Sequence, residues 1–271
     1  MFANILNGTL SIAGTSVDYI RFGSGSGILV MLPGLGDGLT TVKGTALPMA
    51  LMYRAFAKAY TVYMFSRPNT LRSGCTTREM ASALNDAFEA LKIDRCDLFG
   101  VSMGGMIAQH FAADYPHKVH RLVLAVTAAA SHPALTESVS EWISLARQGD
   151  HAAFMDSNLR RMYSKAYYRR NHWLVPLTGL LTKPRSYERF LIQANACLQH
   201  DALDRLSLIT APTLVIGGEQ DRALSPDASR ELAAAIPNAT LKMYPEWGHA
   251  LYEEAHDFNQ TVLDFLRRDP R

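Results

Sequence analysis

The residues most able to do chemistry sit in Gly100-Val101-Ser102-Met103-Gly104, a G-x-S-x-G pattern. The apolar run "CDLFGVS" enters it and the helical pattern "MGGMIAQHFAADYP" leaves it. A serine on such a strand-to-helix turn is held in strained backbone, with Oγ exposed above the sheet. Gly100 and Gly104, followed by Gly105, provide small residues where neighbouring backbone comes close. The N–H of Met103 opens the helix, where the macrodipole favours negative charge. The bland alternative is an ordinary turn with a serine cap, because the pattern alone is short. Partners decide between the two.

A serine hydroxyl is a weak nucleophile without a base, and the base needs an acid to orient it. Of the nine histidines, His249 stands apart. It lies in "PEWGHALYEE", a glycine-preceded loop between the last expected strand and the last helix, at the edge where the other strands also end. The remaining histidines read as surface or structural. His110 is inside the helix after Ser102, and His117 and His120 flank a proline-bounded turn at the surface. His132, His151, His172 and His200 lie in or beside a helical stretch, and His256 sits in the last helix. For the acid, Asp221 in "VIGGEQDRALSP" follows a strand directly, with Glu219 as second choice. Asp227 reads as a helix-start residue. The loop after "VHRLVLAVTAAAS" contains no carboxylate. The chain order is therefore Ser102, Asp221, His249.

A second glycine-rich stretch, "MLPGLGDG" (31–38), ends the apolar run "GILVMLP". It does not meet the needs of a phosphate cradle. A dinucleotide fingerprint requires G-x-G-x-x-G, and Leu39 stands where the last glycine belongs. "TVYMFSRPN" offers no acid for a ribose, and "GDGLTTVKG" lacks the Gly-Lys-Ser/Thr order of a phosphate loop. Gly34 and Gly36 instead provide room for backbone N–H groups to face a reacting oxygen.

The elements that must position these residues alternate. "TLSIAG" and "SVDYIRFG" predict an opening β-hairpin. "GILVMLP", "TVYMFS", "CDLFGVS" and "VHRLVLAVT" predict strands, and "ALPMALMYRAFAKAY" and "TTREMASALNDAFEALKI" predict helices between them, the second with Thr77 as N-cap. This rhythm argues for a mostly parallel sheet with helices on both faces. It breaks over 132–205, where every segment reads as helix, and resumes at "PTLVIGGEQD". The expected organisation is a core of 1–131 and 206–271 with an inserted helical lid over 132–205. The closing helix is expected over "YEEAHDFNQTVLDFLRR".

Bulk properties exclude several classes. Lys plus Arg number 27 against 25 Asp plus Glu, a net charge of +2 that offers no electrostatic reason to expect nucleic acid or an anionic membrane. No apolar run approaches the roughly 18 residues of a membrane span. "MFANILNGTLSIAG" lacks the basic and apolar regions of a secretory signal. The three cysteines, Cys75, Cys96 and Cys197, form neither a C-x-x-C pair nor an even framework. A soluble protein of the reducing cytoplasm is the simplest expectation.

With three motifs in order, nearly the whole chain resembles the α/β-hydrolase superfamily. The resemblance rests on "GVSMGGMIAQHFAADYPHKVHRLVLAVT", "PTLVIGGEQDRALSPDASRELAAAIPNATLKMYPEWGHALYEE" and the 31–38 loop. It is similar to the enol-lactonase, carboxylesterase and C–C-bond hydrolase branches, while Ser102 argues against the branches with a carboxylate nucleophile. The resemblance implies a Ser102–His249–Asp221 triad, oxyanion donors at the N–H groups of Leu35 and Met103, and no metal or organic cofactor. Its first expectation is a hydrolase of small carboxylic esters or lactones. The alternatives are a C–C-bond hydrolase, an acyltransferase or perhydrolase on the same triad, and a ligand receptor of the same fold with little turnover. Two departures stand out. Pro33 replaces the histidine with which relatives brace the oxyanion loop, and "SRPNTLRSG" replaces an Asp-x-x-Gly turn. In the lid, Trp142, Phe154, Met155, Met162, Tyr163, Tyr167, Tyr168, Trp173 and Phe190 are expected mostly to pack the lid onto the core, some lining a pocket. "YYRRNH" reads as a solvated face.

Overall fold

The computed structural model describes residues 4–12 and 14–268. Residues 1–3 of the stretch read against a secretory signal, and Ala13 of the hairpin turn, lie outside them. Among the described residues eight strands form one sheet: β1 (Leu6–Ile12), β2 (Thr15–Phe22), β3 (Gly27–Leu32), β4 (Tyr60–Phe65), β5 (Cys96–Val101), β6 (Val119–Ala125), β7 (Thr213–Gly218) and β8 (Ala239–Tyr244). Their order across the sheet is β1-β2-β4-β3-β5-β6-β7-β8. The opening hairpin pairs antiparallel, as does β2 with β4, and every later pair is parallel. β5 and β7 are buried at every position, which is why their sequences run apolar without alternation.

Helices α1 (Ala46–Met52), α2 (Thr77–Leu91), α3 (Met103–Asp114), α9 (Pro226–Ala235), α10 (Leu251–Glu254) and α11 (Phe258–Leu266) belong to the α/β rhythm. Between β6 and β7 lie only helices: α4 (Pro133–Gln148), α5 (His151–Met162), α6 (Lys165–Asn171), α7 (Val175–Leu181) and α8 (Glu188–Leu198). Two cores sandwich the sheet. One gathers Phe88, Phe111 and Leu232 with cap residues such as Leu135 and Phe190; the other gathers Phe22, Phe56, Phe99 and Phe258. The cap helices thus share a core with the sheet rather than resting on it.

The boundaries differ from expectation where local polar groups intervene. α2 is capped by Thr76, not Thr77, because Thr76 and Glu79 form a reciprocal capping box. Only Ala46–Met52 of the first predicted helix, "ALPMALMYRAFAKAY", is α-helical; tight turns follow, and Tyr53, Phe56 and Ala57 all face the core from them. Within the helical stretch 132–205, α5 and α6 are divided at Ser164, whose hydroxyl caps α6. The closing helix breaks at Ala255–Asp257 into α10 and α11. α6 buries none of its side chains, so "YYRRNH" is a solvated face, and Trp173 is 68% exposed. Among the described residues, no helix is long and apolar enough to cross a membrane.

His110 and His200 meet edge to face inside the protein, 5.2 Å apart. His200 Nδ1 pairs with the Thr77 hydroxyl at 2.9 Å. Burial pulls His110 down to about 4 and His200 down to about 3, the latter helped by its neighbour. The unfolded chain therefore binds more protons than the folded one below the ordinary histidine value of about 6.5. Stability is full above that value and falls as pH drops from 6.5 toward 4. Thermal melts from pH 8 to pH 4 should show this loss, and His110→Gln should flatten the slope; an unchanged slope would assign the acid sensitivity elsewhere.

Candidate active site

Ser102 stands between β5 and α3 at φ 52°, ψ −122°, a left-handed conformation costly for a residue with a Cβ. Its surroundings hold it there. Ser102 N–H donates to Ala125 O at 2.9 Å, and Ser102 O accepts from Gly105 N–H at 2.8 Å. The turn is so tight that a Cβ on Gly104 would stand 2.1 Å from Leu32 O, and one on Gly100 would stand 2.5 Å from Gly104 O. Three backbone segments thus meet where no side chain fits.

The loops after β7 and β8 bring the other two groups to the same edge. His249 Nε2 lies 3.0 Å from Ser102 Oγ, and His249 Nδ1 lies 2.8 Å from Asp221 Oδ2. Both the His249 and Asp221 side chains are 3% exposed. Asp221 Oδ1 accepts from the N–H groups of Ala223 and Leu224 at 2.8 and 2.9 Å. A carboxylate oxygen accepts, so the tautomer that fits both contacts has Nδ1 donating to Asp221 and Nε2 accepting from the serine hydroxyl. Glu219 turns away to Arg230, and Asp227 lies exposed in the first turn of α9.

The other histidines lie elsewhere. His117, His172 and His256 are exposed, and His132 caps α4. His120, expected at the surface, is half-buried because Asp97 holds its Nδ1 at 2.9 Å. His151 is buried between Thr182 and Tyr187.

The loop after β3 becomes a 3-10 turn, Leu35–Gly38. It lies against the serine: a Cβ on Gly34 would stand 3.5 Å from Ser102 Cβ, whereas one on Gly36 would meet nothing within 4 Å. Leu35, Ser102, Met103 and His249 all border a space of about 20 Å³. Met103 N–H, in the first turn of α3, has no intrahelical acceptor.

Above Ser102 opens a cavity of about 390 Å³. Six of the nine lid residues named from the sequence line it: Trp142, Phe154, Met155, Met162, Tyr163 and Phe190. Lining is therefore the commoner fate of this set. The core contributes Met31, Met49, Met52 and Met64, whose unbranched side chains make an adaptable apolar wall. Among the described residues no Lys or Arg lines this cavity; its acidic groups are Asp37, already paired with Arg189, and Glu253, which accepts from Tyr163 O–H at 2.6 Å.

Glu253, four residues after His249, is a lining residue not expected from the sequence, although that spacing places it on the helix leading away from the loop. Nor were Arg67 and Arg189, which converge on Asp37, expected from it. No local pattern marks either arginine.

Comparison with known proteins agrees with this architecture. A family model described as the alpha/beta hydrolase fold matches residues 27–256. A 2-hydroxy-6-oxononadienedioate/2-hydroxy-6-oxononatrienedioate hydrolase of Pseudomonas putida is 30% identical, over 98% of this chain and 96% of its own length. A hydrolase of the same name from Burkholderia vietnamiensis is 33% identical, over 93% of this chain and 91% of its own. Among solved structures, the enol-lactonase from Burkholderia xenovorans superposes with a TM-score of 0.83 at 24% identity, covering 96% of this chain and all of its own. At that identity the likeness is one of fold. The chain belongs to the α/β-hydrolase fold family, as a hydrolytic enzyme with a Ser-His-Asp-type triad acting on a small molecule.

Proposed function

We propose that Ser102 is the nucleophile, His249 the general base and Asp221 the orienting acid, with the N–H groups of Leu35 and Met103 as oxyanion donors. The carrying observation is the continuous relay from Asp221 through His249 to Ser102 Oγ, opening on an apolar cavity. Ser102 Oγ attacks a carbonyl carbon while His249 Nε2 takes its proton. The oxyanion rests on the two amides, and the bond to the leaving group breaks with its electron pair. The leaving group takes the proton back from His249, and a water activated by the same imidazole releases the acyl group from Ser102.

The bond broken is the finer question. The substrate in the relatives' name contains a ketone and two carboxylates but no ester, so its hydrolysis must break a carbon–carbon bond. This supports C–C-bond cleavage ahead of the ester or lactone cleavage that the sequence alone puts first. The cavity argues for a different substrate, however. A dicarboxylate needs cationic partners once out of water, whereas this wall presents no Lys or Arg among the described residues and one acid, Glu253, without a cationic partner. The substrate class we propose is a neutral, largely apolar ketone whose departing carbon is stabilised as an enolate. A neutral ester or lactone is the second reading, favoured by the same apolar wall and served by the same acyl-enzyme. The three cysteines are free and buried, which fits the reducing cytoplasm expected for the chain.

A fluorophosphonate should label the wild type, and labelling should vanish in Ser102→Ala. His249→Ala should lower kcat by about 10³-fold or more, while His256→Ala leaves it unchanged; equal effects would mean the base is wrongly assigned. A panel of neutral diketones and short p-nitrophenyl esters then ranks the two bond classes. Absence of both labelling and turnover across the panel would sink the enzymatic reading of these residues.

Charge selectivity is testable separately. A neutral substrate should exceed its dicarboxylate analogue in kcat/KM by about tenfold or more, given that an unpaired buried charge is costly. Glu253→Gln should narrow that gap. Faster turnover of the dicarboxylate would contradict the charge argument.

A further inference from the structure

The two departures from the family pattern, Pro33 and "SRPNTLRSG", touch each other. Pro33 has no N–H to donate, but its carbonyl remains an acceptor that must be satisfied when buried. Arg67, from the second departure, fills that need: its Nη2 donates to Pro33 O at 2.5 Å. The backbone N–H of Arg67 donates to Asp37 Oδ2 at 3.2 Å. One residue therefore grips the oxyanion loop on both sides of Leu35. The Arg67 side chain is 3% exposed and that of Asp37 is fully buried, so water does not compete for these bonds.

Arg189 completes the arrangement from the cap. Its Nη2 bonds Asp37 Oδ2 at 2.5 Å and Arg67 O at 2.9 Å, and its Nη1 bonds Asp37 O. The next residue, Phe190, sits so close that a Cβ on Gly38 would stand 2.7 Å from its Cα. The oxyanion loop is thus clamped between the loop after β4 and helix α8.

We infer that Arg67 is a positioning residue that fixes the Leu35 N–H over Ser102, in place of the histidine brace for which this chain has Pro33. The inference rests on the reading of Leu35 as an oxyanion donor. A guanidinium suits the task because its planar fork serves acceptors in fixed directions, which an ammonium does not. Asp37 keeps Arg189 when Arg67 is changed, so the buried carboxylate is not orphaned in the variants that test this.

The test compares Arg67→Lys and Arg67→Met in the full chain, on whichever substrate the wild type turns over, with active sites titrated by fluorophosphonate. In both variants kcat should fall about 10–100-fold, less than the outright loss of a donor, with KM within about twofold. Affinity for a boronic acid that forms a tetrahedral adduct on the serine should fall in parallel with kcat/KM. Unchanged kcat and boronate affinity in folded variants would overturn the inference. So would a loss of activity that only tracks the titratable fraction, since that is the mark of a structural role. A wild type that neither labels nor turns over would instead sink the catalytic reading itself, while an active, Ser102-dependent wild type with indifferent Arg67 variants would sink the brace alone.

Discussion

The buried contact between His249 Nδ1 and Asp221 is the interaction on which the site depends. A carboxylate locked by two backbone amides can accept but not donate. It therefore decides which imidazole nitrogen is protonated, and so leaves Nε2 facing Ser102. Without it the imidazole has two tautomers and free rotation, and nothing fixes which nitrogen meets Ser102. The fold serves this contact. β7 and β8 are adjacent and parallel, so the loops at their ends place Asp221 and His249 side by side. β5 lies two strands away with β6 between, and its sharp turn lifts Ser102 toward them.

Strain and packing are coupled at the serine. Its left-handed backbone persists because Leu32, Gly100, Gly104 and Gly105 leave no room for relaxation. The same closeness brings the loop after β3 against Ser102. A proline there, where the family resemblance leads one to expect a histidine, looks like a loss in the sequence alone. In three dimensions the carbonyl of Pro33 is held by a buried arginine, and that arginine is tied through Asp37 to the cap. The loop beside Ser102 is held by bonds to Arg67 and Arg189.

What was legible in the sequence follows from how local each requirement is. The elbow is encoded in five consecutive residues, because steric closeness of strand and helix demands small side chains at fixed offsets. Asp221 and His249 were legible because each sits in a loop directly after a recognisable strand, so chain order substitutes for geometry. The alternation of β5, α3 and β6 likewise declared a parallel sheet. The Arg67–Asp37–Arg189 cluster was not legible: its members come from three separate loops and helices, and each alone looks like a surface charge. The helix boundaries at Thr76, Ser164 and Ala255 were missed or shifted because single polar groups and turns, rather than periodicity, set them. The cavity wall was legible in part, since the lid aromatics announce themselves, while the core methionines read as ordinary packing.

The most direct test of the account is to trap the intermediate. The protein would be mixed rapidly with a neutral ketone or ester that it turns over, quenched in acid, digested and weighed by mass spectrometry. The account predicts an acyl increment on the peptide carrying Ser102, absent when Ser102 is alanine. Turnover without any increment, or an increment on another residue, would contradict it.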